Sequence, residues 1–91
     1  MPLTRGRIFG YDAERMAFLF TMVNKGEPVD CTVSGAAMDQ LSDTRGTLPA
    51  EREAQFLLLR EAIERIASDT FDSEMPVEGG GVRIFAKHVR K

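Results

Sequence analysis

The stretch that decides the fold is MAFLFTMVNKGEPVDCTVS, residues 16–34. Its first eight residues are apolar and aromatic and end at a turn signal, which predicts a strand over 16–23 rather than a helix. Both faces of this strand are apolar, so we expect it to be buried on both sides. Residues 29–34 alternate between apolar and polar side chains, which predicts a half-solvated antiparallel partner strand. The loop 24–28 joins the two strands into a hairpin, with Asn24 and Gly26 suited to positive φ.

Two helices and a further strand are predicted after the hairpin. Ser34 is suited to cap a short helix over 35–41, and Pro49 opens a long helix that runs to about Phe71. The core-facing stripe of the long helix recurs at three- and four-residue spacing, and consists of Phe56, Leu59, Ile63, Ile66 and Ala67. A weaker pattern predicts a first strand over 7–11, and alternation predicts a last strand over 82–89.

These elements predict a single α+β domain over residues 1–91, with its core at about 7–89. We expect an antiparallel sheet of three to four strands, with one short and one long helix on one face. The order along the chain is β(β)β-α-α-β.

Composition excludes several classes of function. With 12 Lys and Arg against 14 Asp and Glu, the net charge of −2 disfavours a generally basic nucleic-acid binder. One Cys excludes an internal disulfide framework, and one His excludes a site that needs two imidazoles.

No apolar run approaches the roughly 20 residues of a membrane span. The lone cysteine agrees with a reducing compartment, so we expect a cytoplasmic protein.

The order of elements and their spacing resemble a known family. Tyr11-Asp12, the apolar strand 16–23, Gly26-Glu27 and the hairpin 29–34 carry the resemblance, together with residues of both helices: Ala37-Met38, Phe56, Arg60, Ile63-Glu64 and Ala67. The chain is similar over about 11–88 to the small bacterial domain-of-unknown-function family numbered fourteen eighty-eight. The resemblance implies the fold above and implies no activity, cofactor or substrate.

Catalytic chemistry has one candidate pair, Cys31 and His88, as nucleophile and base. Cys31 lies in phase with Val29 and Val33, which favours a small core side chain over a nucleophile. The acidic spacings around Asp39 and Asp69 are more typical of a solvated face than of a metal site. We therefore expect no catalytic residue, cofactor, metal or identifiable small-molecule substrate.

A surplus of apolar strand surface favours self-association. Two helices cover one face of a small sheet. If they pack on the face that carries Leu19, Cys31, Val33 and Ile84, the opposite face of strand 16–23, here called the Met/Phe face, needs another cover. Either the N-terminal residues fold over it or it forms an interface, and we favour a homodimer. The candidate interface consists of Met16, Phe18, Phe20, Met22 and Phe85.

Charge is distributed unevenly along the chain. Residues 1–10 and 82–91 hold six basic and no acidic side chains, whereas 11–81 hold six basic and fourteen acidic ones. Basic residues on edge strands commonly block aggregation, which is the interpretation we favour. The alternative is a weak nucleic-acid binder or a binder of an acidic partner. Its candidate contacts are Arg5, Arg7, Arg83, Lys87, Arg90 and Lys91. The leading hypothesis remains a non-catalytic interaction or accessory module that self-associates through its sheet.

Overall fold

The predicted hairpin forms the centre of a four-stranded sheet. A computed structural model describes residues 3–71 in full, the backbone of 72–74, and residues 81–86 and 89. The elements follow the predicted order, and they are β1 (Thr4–Asp12), β2 (Ala17–Asn24), β3 (Glu27–Ser34), α1 (Gly35–Ser42), α2 (Arg52–Glu74) and β4 (Val82–Ile84). A 3-10 turn, Pro49–Glu51, leads into α2. The predicted α+β class is confirmed.

The sheet is mixed, which corrects the prediction of an antiparallel sheet. Its strand order is β1-β2-β3-β4, with β1 antiparallel to β2, β2 antiparallel to β3, and β4 parallel to β3. Parallel strands need a crossover connection, and here α1 and α2 supply it. β4 spans three residues, so Phe85 and Ala86, which belong to the strand predicted over 82–89, lie beyond the end of the observed strand.

The register of the β2–β3 hairpin overturns the predicted assignment of faces. Lys25 and Gly26 form a two-residue turn with φ of 53° and 84°, so Phe18 pairs with Val33 and Phe20 pairs with Cys31. Directly paired residues share a face of the sheet. The alternation of the two strands predicted Cys31 on the face opposite Phe20. A register shift of one residue moves every side chain to the other face, and the turn decides it.

The helices cover the Met/Phe face, and the prediction that this face needs another cover is wrong. Phe56 of α2 stacks on Phe18 with ring centroids 4.4 Å apart, and it meets Phe20 at 5.0 Å. Phe18 and Phe20 are 0% and 3% exposed, and Met22 is 1% exposed. The outer face of the sheet is the one that carries Leu19, and it mixes partly buried apolar side chains with threonines.

The helix signals are confirmed. The Ser34 hydroxyl accepts a hydrogen bond from the Ala37 N–H at 3.1 Å, which caps α1. The predicted stripe of α2 faces the core: Phe56, Ile63 and Ala67 are fully buried, and Leu59 and Ile66 pack against them. Within the described residues, no helix combines the length and the hydropathy needed to cross a membrane.

Candidate interaction surface

Two of the five predicted interface residues lie at the surface. Met16 is 67% exposed in the turn before β2, with φ of 53°, and Phe85 is 47% exposed after β4. Phe18, Phe20 and Met22 lie inside the core, so they contribute no surface to a partner. Phe56 of α2 occupies the space that a second copy was expected to fill, so these three residues are not available to a partner.

The outward face of α2 carries an apolar pair that the sequence analysis missed. Leu57 and Leu58 are 50% and 88% exposed, although they directly follow Phe56, which lies in the core. The signal was present in the run FLLL over 56–59. Four consecutive helical positions at about 100° per residue span most of the circumference, so they cannot all face one core.

A buried polar network joins α1 to the start of α2. The Arg52 guanidinium donates through Nη1 to Asp39 Oδ1 at 2.8 Å, to Gln55 Oε1 at 2.7 Å and to the Gly35 carbonyl at 3.3 Å. Its Cζ lies 5.3 Å from the centre of the Tyr11 ring. Arg52 and Gln55 are both buried. Among the described residues, Arg52 Nε has no hydrogen-bond partner.

Asp39 is the acceptor at the centre of this network. Its Oδ1 also accepts from Thr47 Oγ1 at 2.6 Å and Gln55 Nε2 at 2.9 Å. Burial would raise the pKa of Asp39, but hydrogen bonds from Thr47, Gln55 and Arg52, with the charge of Arg52, lower it to about 2. A Cβ at Gly35 would stand 2.7 Å from Arg52 Nη2, so the arginine fits there because position 35 has no side chain. These contacts give the network a structural role.

A second polar cluster ties β1 to α2. Glu64, which is buried, accepts two hydrogen bonds from Arg5 Nε and one from Arg5 Nη2, the shortest at 2.9 Å. Arg60 Nε donates to the same carboxylate at 3.0 Å. The hydrogen bond and the charge of Glu64 raise the pKa of Arg5. One of the predicted polyanion contacts is therefore already paired with an acid.

The two terminal strands, which carry the candidate basic contacts in the described residues, are not neighbours in the sheet. β1 and β4 are the two opposite edges of the sheet, separated by β2 and β3. At nearly 5 Å per strand, they lie about 14 Å apart. Arg7 and Arg83 are both exposed, but on different edges. Lys87, Arg90 and Lys91 lie outside the described residues, as does His88.

Cys31 belongs to the core, as its phase with Val33 predicted. It is 2% exposed, and its thiol contacts the Val29 carbonyl at 3.4 Å. Burial raises the pKa of the thiol to about 12, against weaker opposing effects of backbone hydrogen bonds from Met22 and Val82. A protonated, enclosed thiol is a poor nucleophile. Over the described part of the chain, no group of three or more metal-ligating side chains comes together.

The geometry defines a small α+β domain whose polar clusters join secondary structure elements and whose unusual surface is the outward face of α2. The family model described as a protein of unknown function (DUF1488) matches residues 6–84, and the chain belongs to this family. The resemblance seen in the sequence is thereby confirmed. The chain is also similar to the crystal structure of a DUF1488 protein of unknown function from Shewanella loihica PV-4, with 18% identity, 91% coverage of each chain and a TM-score of 0.76. That likeness shows the fold alone. No curated protein matches the sequence.

Proposed function

We propose that the chain is a non-catalytic interaction module that self-associates, and that its docking surface is the outward face of α2. The observation that carries the proposal is the exposure of Leu58, which reaches 88% in the middle of a 23-residue helix. Leu57 adds a second half-exposed leucine beside it.

The helix carries two exposed leucines on the side opposite its core-facing stripe. A surface helix normally has one apolar stripe toward the core and polar residues opposite. Burying a leucine side chain contributes about 1.5–3 kcal/mol relative to leaving it in water. A partner that covers Leu57 and Leu58 gains this free energy without disturbing the core.

Self-association through the sheet is the competing arrangement, because three exposed apolar residues remain near it. Phe9 on β1 is 64% exposed, and Met16 and Phe85 are also exposed. The outer face between them is interrupted by threonines, since Leu19 pairs with Thr32 and Thr21 is its neighbour two residues on. We prefer α2 because Leu58 is more exposed than any of these three residues.

Sedimentation velocity across the micromolar range tests the proposal. We expect the wild-type sedimentation coefficient to rise with concentration, and Leu58→Ser to remain monomeric. Phe9→Ser is the matched control, because it removes a large exposed apolar side chain from the sheet instead. Loss of association in Phe9→Ser but not in Leu58→Ser would assign the interface to the sheet. A wild-type chain that stays monomeric throughout would overturn self-association.

A further inference from the structure

Resting on this proposed self-association, we infer that copies associate head to tail, with the outward face of α2 in one copy docked on the β4 end of the next. The β4 end is defined here as Arg83 and Phe85, which are both exposed. Phe85 packs against Leu57 and Leu58 of the neighbouring copy, and Arg83 binds Glu53 there. The two surfaces carry opposite charge, and each presents an exposed apolar side chain.

The outward face of α2 is acidic, so it does not suit a second copy of itself. Over the described side chains of the helix, the exposed charged residues are three acids and one base: Glu53, Glu61, Arg65 and Asp69. Glu51, in the 3-10 turn before the helix, adds a further exposed acid. Pairing two such faces brings acid near acid at both ends of the helix, which is unfavourable. The complementary surface is a basic one.

The β4 end belongs to the basic part of the chain. Residues 82–91 hold four basic and no acidic side chains in the sequence, whereas 35–80, which include both helices, hold four basic and ten acidic ones. Arg83 is the described member of the basic set, and it pairs with Thr32 of β3. Asp30, two residues before Thr32, is an exposed acid on the same face and offsets one of the four positive charges. The β4 end therefore remains net positive.

The two surfaces also match in spacing. Arg83 and Phe85 are two residues apart, which corresponds to about 7 Å along a strand. Glu53 and Leu57 are four residues apart on a helix, so their Cβ atoms lie about 6 Å apart. Phe85 resting on the leucines therefore brings Arg83 beside Glu53 in the same contact. Aromatic side chains and arginine are the residues that interfaces favour.

The two surfaces lie on opposite sides of the molecule, which determines the form of the assembly. α2 packs on the Met/Phe face of the sheet through Phe56, and Leu58 lies about 200° further around the helix. Arg83 lies on the outer face, because Thr32, with which it pairs, pairs in turn with Leu19. A contact between unlike surfaces on opposite sides leaves one of each unused at the two ends. Copies therefore add one after another instead of closing into a pair.

Sedimentation equilibrium of two variants and of their mixture tests this arrangement. Leu58→Ser disables α2 and Phe85→Ser disables the β4 end, so each variant alone should be monomeric at concentrations where the wild type associates. In an equimolar mixture, the intact α2 of one variant meets the intact β4 end of the other, and the average mass should rise to that of a dimer and stop there. The wild type should pass the dimer mass. Phe9→Ser, on the opposite edge of the sheet, is the matched control and should associate like the wild type.

Charge reversal repeats the test without removing an apolar contact. Glu53→Arg and Arg83→Glu should each lower the association constant by about fivefold at low salt, since attraction becomes repulsion. A mixture of these two variants should return to within about twofold of the wild type, because every contact between unlike copies then pairs opposite charges. Arg7→Glu makes the same charge change as Arg83→Glu at an exposed position on β1, and should leave the association unchanged.

The outcomes separate this inference from the proposed function. A wild-type mass that stops at the dimer would indicate a two-fold pair and overturn head-to-tail association. Phe85→Ser and Arg83→Glu that both associate like the wild type would also overturn it, while leaving self-association through α2 intact. A mixture of Leu58→Ser and Phe85→Ser that stays monomeric would show that the two surfaces do not meet. A wild type that is monomeric throughout would remove the proposed function itself.

Discussion

Replacing Phe56 by alanine tests the central feature of the fold, which is the packing of α2 on the Met/Phe face of the sheet. Phe56 is 0% exposed and its ring contacts both Phe18 and Phe20. Truncating a buried phenylalanine costs about 3–5 kcal/mol, and each aromatic pair adds about 0.5–1.5 kcal/mol beyond burial. We expect a loss near the upper end, about 4–5 kcal/mol, because both ring contacts disappear together.

Urea unfolding followed by far-UV circular dichroism measures this loss. For a domain of this size, 1 kcal/mol lowers the melting temperature by roughly 4–8 °C, so thermal unfolding should shift by about 20 °C or more. Leu58→Ala is the matched control on the same helix and should stay within about 0.5 kcal/mol of the wild type. Both are measured at the same low protein concentration, so that association of any kind does not contribute to the measured stability. A loss below about 1 kcal/mol for Phe56→Ala, with a larger loss for Leu19→Ala, would refute the assignment of faces.

Three further predictions concern the thiol of Cys31, the carboxylate of Asp39 and Gly81. Cys31 should not react with a thiol reagent at pH 8 unless denaturant is added, because burial raises its pKa to about 12; rapid reaction of the folded chain would contradict this. The pKa of Asp39 is lower in the folded chain than its ordinary 3.8, so its stabilisation is complete above about pH 4 and is lost as the pH falls toward 2. We expect a loss of about 1–2 kcal/mol after solvent screening, measured by urea unfolding against pH, and a flatter profile in Asp39→Asn. Gly81→Ala should destabilise by more than about 2 kcal/mol, since its Cβ would overlap the Asp30 carbonyl; thermal unfolding at the wild-type temperature would contradict the close contact.

The elements of the fold could be predicted from local patterns because each has a strong local cause. Ser34 caps α1 through a hydrogen bond to its own third neighbour, and the α2 stripe follows the helical period. No local pattern determines whether β4 runs parallel or antiparallel to β3. Residues 82–84 alternate equally well in a parallel or an antiparallel strand, and the crossover through two helices decides between them.

The polar networks could not be predicted from the sequence either, for a different reason. Asp39 and Arg52 are 13 residues apart and belong to separate helices, so only the packing of α1 on α2 brings them within 2.8 Å. Arg5 and Glu64 are 59 residues apart and likewise meet across two elements. Charge patterns within one helix carry no information about partners at such separations.

The surplus of apolar residues was attributed to the wrong element. Both faces of β2 are apolar, and the sequence alone does not say which face the helices take; the two-residue turn at Lys25 and Gly26 decides it through the register. Once the Met/Phe face is filled by Phe56, the surplus no longer lies in the sheet. It lies in Leu57 and Leu58, because a helix that carries FLLL can turn only part of that run inward.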